Sequence, residues 1–442
     1  MSRRPRALLV SPILPATGGN GLAMRAGVFL EALAVEHEVT LLVVPVAGAP
    51  AGGEPPDFVL SRVRRWAVLP LGDALDPLFS LSAGLRDPAA RLAALRDYPR
   101  PRLCRWATGP ALAKALAAAR DARDADDAGE DGEDGAARFD AVLVLRSYLA
   151  PYAAPFLTGE GGKQARRVLD LDDDEQVSQN RLSELFDRRG QREEALLAAA
   201  EAGKYAAHER LWLPRFDLVL ATSEAHAAAV RERHPGVEVT IVPNTVEVPG
   251  GVRRGRRGRR AHRARAPRLL FVGNLGYEPN VEAALWLGRE IVPRLWAQGW
   301  PAELRIAGSR PAAAVAALAG PGIEVCADPV DLAPLYAWAD VAVAPILAGG
   351  GTRIKILEAF AARVPVVATP LGAEGLAVRD GEHLLLAEDS DTLAAACRRL
   401  GESPLLGRHL AANALRLVRR RYLRSAGLRQ IRGLLTDAAE RV

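Results

Sequence analysis

The stretch Asp340–Thr369, DVAVAPILAGGGTRIKILEAFAARVPVVAT, decides the architecture of this chain. A short apolar run ends near Pro345, a turn follows at Gly349-Gly350-Gly351, and an amphipathic helix starts near Thr352. A second β-rich run, Pro365–Ala368, closes the passage. Both runs are apolar on both faces, as parallel strands covered by helices on each side must be. Strand, Gly turn, helix and buried strand make one unit of a doubly wound α/β sheet. In such open sheets ligands sit beyond the carboxyl ends of the strands, where this turn lies.

The same alternation extends through most of the chain. The first half predicts strands at Ala7–Val10, Val39–Val44, Ala67–Leu69, Ala141–Leu145, Val168–Leu171, Leu218–Ala221 and Val239–Val242. The second half adds Leu269–Val272, Glu303–Ile306, Ile323–Val325, Val341–Ala344, Pro365–Ala368 and Leu384–Ala387. With 442 residues, two Rossmann-like α/β domains are expected.

Two segments interrupt the pattern. Asp121–Asp134 carries eight acidic residues among Gly and Ala and cannot bury a core, so 121–137 reads as a disordered surface insert. Gly250–Pro267 is rich in Gly and Arg and divides the two strand sets. The expected organisation is an acceptor-side domain over 1–249, a linker over 250–267 and a donor domain over 268–400. Helices over 401–442 are expected to pack back toward the first domain.

The net charge of +5 is not a nucleic-acid footprint, because nine arginines are concentrated between Arg253 and Arg268. Without them the chain is slightly acidic. A solvated linker is the bland reading of that run; contact with anionic lipid is the sharper one. Cys104, Cys326 and Cys397 form neither a disulfide framework nor a zinc site and fit a reducing compartment. The start MSRRPRALLVSPILP imitates a signal peptide, but Pro12 and Pro15 break its apolar run. No apolar stretch approaches the roughly 18 residues a membrane span needs. A cytoplasmic protein, soluble or peripheral on the inner membrane face, is expected.

The Gly turn has the makings of an anion site. A helix start offers free amides and a positive dipole end, and glycines let backbone approach phosphate closely. Arg353 can grip phosphate oxygens in pairs, whereas Lys355 acts as a point charge. Glu358, in the first turns of the same helix, suits a ribose diol. The bland alternative is a turn capped by Thr352, with Arg353 and Lys355 on a solvated face.

This passage resembles the donor-site signature of glycosyltransferase family 4, whose members have the GT-B fold. The opening ALLVSPILPATGGNGLAMRAGVFLEALAVEHEVTLL is similar to that family's first strand, Gly-rich loop and Arg-bearing helix. RFDLVLATSEAHAAAVRERHPGVEVTIVPNTVEV, RLLFVGNLGYEPN and TPLGAEGLAVRDGEHLLLAEDSDTLAAA extend the resemblance over most of the chain. It implies that Gly18, Gly19, Asn20 and Gly21 form the first-domain loop facing the donor phosphates. Gly273 and Asn274 end the second domain's first strand, and Gly350, Gly351 and Thr352 present amides to the diphosphate. Glu358 matches the second Glu of the E-x(7)-E motif, and Glu374 is a contact to donor or acceptor. Arg25 and Asp172 are acceptor-side candidates.

The chain departs from that pattern in three places. Gly350 stands where the first Glu would be, GNLGYEPN lacks the Arg and Lys of many relatives, and Arg146-Ser147 follow the strand where a His is usual. Arg353 and Lys355 are expected to supply the missing charge as the catalytic cations. The resemblance implies a retaining, metal-independent transfer from a UDP- or GDP-sugar to a glycan or lipid-linked acceptor, in polysaccharide or glycoconjugate biosynthesis. No further cofactor and no nucleic acid partner is expected.

Other readings are a GT-B sugar-nucleotide epimerase and a non-catalytic sugar-nucleotide binder. An NAD oxidoreductase is disfavoured, because GGNG lacks the G-x-G-x-x-G spacing and no acidic residue ends Val39–Val44. Asp170–Glu175 could be a metal site or base, though acids capping the next helix fit at least as well. The histidines show no metal spacing.

Overall fold

Residues 4–46, 54–120, 139–157, 165–249, 267–351 and 353–436 are described by a computed structural model. The acidic insert, Thr352 and all of the Arg-rich linker except Pro267 lie outside them.

The chain divides into two compact units. In the first, β1 (Arg6–Ser11), β2 (Glu38–Val43), β3 (Arg65–Val68), β4 (Ala141–Leu145), β5 (Arg166–Asp170), β6 (Leu218–Ala221) and β7 (Val239–Ile241) form one sheet. Its order is β3-β2-β1-β4-β5-β6-β7, and each neighbouring pair is parallel. In the second, β8 (Arg268–Val272), β9 (Glu303–Gly308), β10 (Ile323–Ala327), β11 (Val341–Ala344), β12 (Val366–Ala368) and β13 (Leu385–Leu386) run in the order β10-β9-β8-β11-β12-β13, again parallel. The order reverses between β1 and β4 in one sheet and between β8 and β11 in the other. These are the two topological switch points.

Every predicted strand is present, with no end moved by more than two residues. The reason lies in burial. β4, β8 and β11 are buried at every position, and alternate residues feed cores on opposite faces. Leu8, Val10, Val142 and Val144 pack on one side of the first sheet. Ala7, Leu9, Leu143 and Leu145 pack on the other, with Phe29 and Leu33 of helix Gly21–Glu36.

A repeated device sets register at the amino edges. Asp140, Asp217 and Asp340 each stand one residue before a strand, and each accepts a backbone N–H from the first or second residue of the neighbouring strand. The partners are Arg6 at 2.7 Å, Arg167 at 2.8 Å and Arg268 at 3.3 Å. Arg167 and Arg268 also bind the same carboxylates through their guanidinium groups.

The unit boundary differs from the expected one. The first unit ends at Val242 rather than at 249, and the segment from Gly427 onward belongs to it. Helix Pro404–Arg421 belongs to the second unit, where Leu410 joins the core. Only helix Arg424–Thr436 returns, because Leu428, Ile431, Leu434 and Leu435 complete the apolar face beneath β1 and β2. No helix among the described residues is long and apolar enough to cross a membrane.

Candidate functional site

In the second unit, the loops after β8 and β11 flank the switch point. Gly349 sits in the left-handed region at φ +99, and a Cβ there would lie 3.1 Å from an Arg353 nitrogen. The helix begins at Ile354, slightly later than the sequence suggests, with Arg353 at the position before it. Arg353 Nη2 donates to the Gly349 carbonyl at 3.0 Å, so this guanidinium braces the turn itself. Gly350 and Gly351 are half-buried in the turn.

Lys355 does not lie on a solvated face. Its Nζ donates to Asn280 Oδ1 at 2.6 Å and stands 4.6 Å from the Phe271 ring centroid. Asn280 Nδ2 donates in turn to the Asn274 carbonyl at 3.0 Å. Gly273 makes this possible: a Cβ on it would fall 2.9 Å from Asn280 Cγ. Gly308 is more tightly placed, since its Cβ would meet the Gly273 carbonyl oxygen at 1.6 Å. Gly273 and Asn274 thus seat the residue that seats the lysine.

Glu358 follows one helical turn after Lys355. Tyr336 O–H donates to its Oε2 at 3.1 Å. A small cavity lined by Leu270, Val272, Tyr336, Ala344, Lys355 and Ile356 adjoins the pair. Burial against these apolar walls lowers the Lys355 amine to about 7, with Arg353 pushing the same way. Burial likewise raises the Glu358 carboxyl to about 7, against the pull of Tyr336 and Lys355. A half-buried cation and acid poised near neutrality mark a candidate binding site.

The loop after β12 packs on the same strand ends. Thr369 Oγ1 donates to the Ile346 carbonyl at 2.6 Å and accepts from Gly372 N at 2.9 Å. A Cβ on Gly372 would stand 2.3 Å from the Ala344 carbonyl oxygen. Glu374 follows this tight turn and is half-buried.

In the first unit, Gly19 takes φ +86 in an exposed loop after β1. Asn20 accepts from Leu22 N at 2.8 Å and caps the helix that Gly21 begins. Arg25, an acceptor-side candidate, is buried and committed: Nε donates to Asp170 Oδ2 at 2.6 Å and Nη1 to the Val242 carbonyl at 3.0 Å. It ties strand ends together rather than reaching solvent. Burial raises the Asp170 carboxyl despite Arg25 beside it. Asp172, at φ +56, accepts from Arg146 Nη1 at 3.0 Å, and Arg146 itself sits at φ +75. Arg146 also pairs with Glu175, whose carboxyl burial raises to about 7. Asp174 caps the next helix through Val177 N at 3.0 Å, the capping role expected of this stretch. Among the described residues no group of three or more His, Cys, Asp or Glu side chains is placed to hold a metal.

Asn280 and Tyr336 are the residues that sequence reasoning missed. Asn280 stands in the quoted GNLGYEPN, and a glycine ending a strand seven residues before a polar side chain in a helix's first turns was the available signal. Tyr336 carried none.

Residues 266–403 match the family model "Glycosyl transferases group 1". A Klebsiella pneumoniae protein of 44.6 kDa from a cps region is 26% identical over 163 residues, 35% of this chain and 42% of that protein, so the match spans less than half of the relative. Among solved structures, sucrose-phosphate synthase of Thermosynechococcus elongatus superposes with a TM-score of 0.63 at 16% identity, over 99% of this chain and 100% of that one. Anabaena HepE, solved with UDP and glucose, gives 0.58 at 15% identity over 98% and 99%. WaaG, a glycosyltransferase involved in lipopolysaccharide biosynthesis, gives 0.56 at 14% over 96% and 98%. Residues 266–403 are therefore similar to the glycosyl transferases group 1 family, and the chain that carries them has the GT-B fold.

Proposed function

We propose that this protein transfers a sugar from a nucleoside-diphosphate sugar to an acceptor hydroxyl, with retention, without a metal and with no cofactor beyond the donor. The observation that carries the reading is the pair Lys355 and Glu358, half-buried on the helix that follows the Gly349–Gly351 turn at the switch point. Lys355, Arg353 and the helix-start amides hold the diphosphate, and Thr352, outside the described residues, is proposed to share in it. Glu358, steadied by Tyr336, accepts from the ribose hydroxyls. Gly19 and Gly21 are proposed as the first unit's phosphate loop, and Glu374 as a sugar contact.

Departure of the nucleoside diphosphate breaks the bond between anomeric carbon and phosphate oxygen and leaves its electron pair on that oxygen. Fixed cations and amides stabilise the growing charge. The acceptor oxygen bonds to the anomeric carbon on the same face, and its proton passes to the departing phosphate oxygen. A UDP- or GDP-sugar is the proposed donor. The UDP bound to HepE favours the first, and the cps-region relative and WaaG favour a glycan or lipid-linked acceptor in polysaccharide or glycoconjugate synthesis.

A thermal-shift series with UDP-, GDP- and TDP-sugars tests the donor site. One nucleotide should stabilise the wild type by several degrees. Lys355→Ala and Glu358→Ala should lose most of that shift. If no nucleotide acts, or both variants respond like the wild type, the donor site is misplaced. Binding without turnover on any acceptor would leave the non-catalytic reading standing.

A further inference from the structure

The loop after β8 is tied down through its backbone. Asn274 Oδ1 accepts from Gly276 N at 3.1 Å, and the Asn274 carbonyl accepts from Tyr277 N at 3.2 Å. Leu275 N donates to the Ser309 carbonyl at 2.8 Å, and a Cβ on Gly276 would stand 3.0 Å from the Arg310 carbonyl oxygen. The loop ends where helix Glu278–Trp286 begins, with Tyr277 as the residue before it. The Tyr277 side chain makes no capping hydrogen bond to that helix, and the residue is 37% exposed. It is placed by its backbone rather than by burial in the core.

Its hydroxyl reaches the Gly turn. A Cβ built on Gly349 would have two polar neighbours, Arg353 Nη1 at 3.1 Å and Tyr277 Oη at 3.5 Å. The guanidinium comes from the residue before the next helix, and the phenol from the loop of the adjacent strand, since β8 and β11 pair in the sheet. Both stand over the same buried glycine. Three residues beyond Tyr277, Asn280 Oδ1 accepts from Lys355 Nζ at 2.6 Å. One loop therefore meets the turn through Tyr277 and the lysine through Asn280. Between Gly273 and Asn280, GNLGYEPN, it carries no Arg or Lys, so it can offer phosphate only neutral donors. A phenol oxygen can accept from a guanidinium and donate its own hydrogen to an anion at the same time. Hydrogen bonds to an ionised acceptor are among the stronger ones. The geometry points to Tyr277 as a further ligand of the donor diphosphate, its hydroxyl donating to a phosphate oxygen beside Arg353. The role rests on the donor site proposed at Gly349–Gly351.

Titration calorimetry of the full chain with UDP and GDP tests this, with uridine and guanosine measured by competition. Tyr277→Phe keeps the ring and removes only the oxygen. It should weaken whichever nucleoside diphosphate binds the wild type about tenfold, the size of one hydrogen bond to a charged group. Affinity for the matching nucleoside should stay within about twofold, because the nucleoside has no phosphate for the hydroxyl to meet. The melting temperature should not move, since the residue is exposed. The proposal is overturned if Tyr277→Phe weakens the diphosphate less than about threefold. A fall in melting temperature, or an equal loss for the nucleoside, would make the hydroxyl a brace of the turn and overturn it as well. If Lys355→Ala loses the nucleotide while Tyr277→Phe keeps it, the donor site stands and Tyr277 has no part in it. If neither UDP nor GDP binds the wild type, the donor site and this ligand fall together.

Discussion

Lys355 and Glu358 reach the same protonation midpoint, about 7, from opposite directions. The lysine binds its proton more weakly in the folded protein than in the unfolded chain, so stability rises with pH from about 7 to 10.5. The glutamate binds its proton more tightly when folded, so stability falls as pH rises from 4.5 to about 7. Together they place a shallow stability minimum near neutrality, tempered by the partial exposure of both groups. A nucleoside diphosphate reverses the lysine's balance, because its charge favours the ammonium. Binding of UDP near pH 8 should therefore take up a proton, and affinity should fall as pH rises above about 7. Calorimetry in buffers of different ionisation enthalpy measures both. Lys355→Met should abolish the uptake, and proton-neutral binding by the wild type would remove Lys355 from the phosphate site. Arg353, Lys355 and Glu358 could be read in advance because they share one helix start. Asn280 and Tyr336 could not, since they reach the pair from 75 and 22 residues away through tertiary packing.

At the level of strands and turns, the thirteen predicted strands all form, because a parallel strand covered on both faces must be a continuous apolar run. Their ends were less legible. β13 shrinks to Leu385–Leu386, and helix Ile354–Ala361 starts only after Arg353 has turned back to brace Gly349. The glycines that matter were partly hidden as well. Gly349–Gly351 announces itself as a run, whereas Gly308 is an isolated residue whose need for hydrogen at Cα comes from β8 beside it. Gly308→Ala should cost at least about 3 kcal/mol in urea unfolding, since both its φ of +152 and the contact with Gly273 forbid a side chain. Gly299→Ala is the control: its φ is also positive, at +79, but nothing lies within 4 Å, and about 1 kcal/mol is expected. Equal losses at the two positions would show that the β8–β9 approach is not the constraint.

Across the whole molecule, the surprise was the ownership of the C-terminal helices. Leu428, Ile431 and Leu434 were visible as an apolar stripe in basic sequence, but periodicity alone does not say which core receives it. The stripe belongs to the first unit, and Ile431 is its fully buried member at 2% exposure. Ile431→Ala should cost about 2–5 kcal/mol. Hydrogen exchange should locate the loss, with faster exchange in β1 and β2 and unchanged protection in β8 and β11. Uniform change in both sheets would contradict the division at Val242 and Gly427. That division also bears on how the chain is made. A ribosome releases residues in order, and domains usually fold as they emerge. Here the residues up to Val242 emerge before the second unit, yet the helix that closes their apolar face is translated after it. The unit begun first is finished last, and the nascent chain must carry an uncovered leucine-rich surface through the synthesis of an entire second domain.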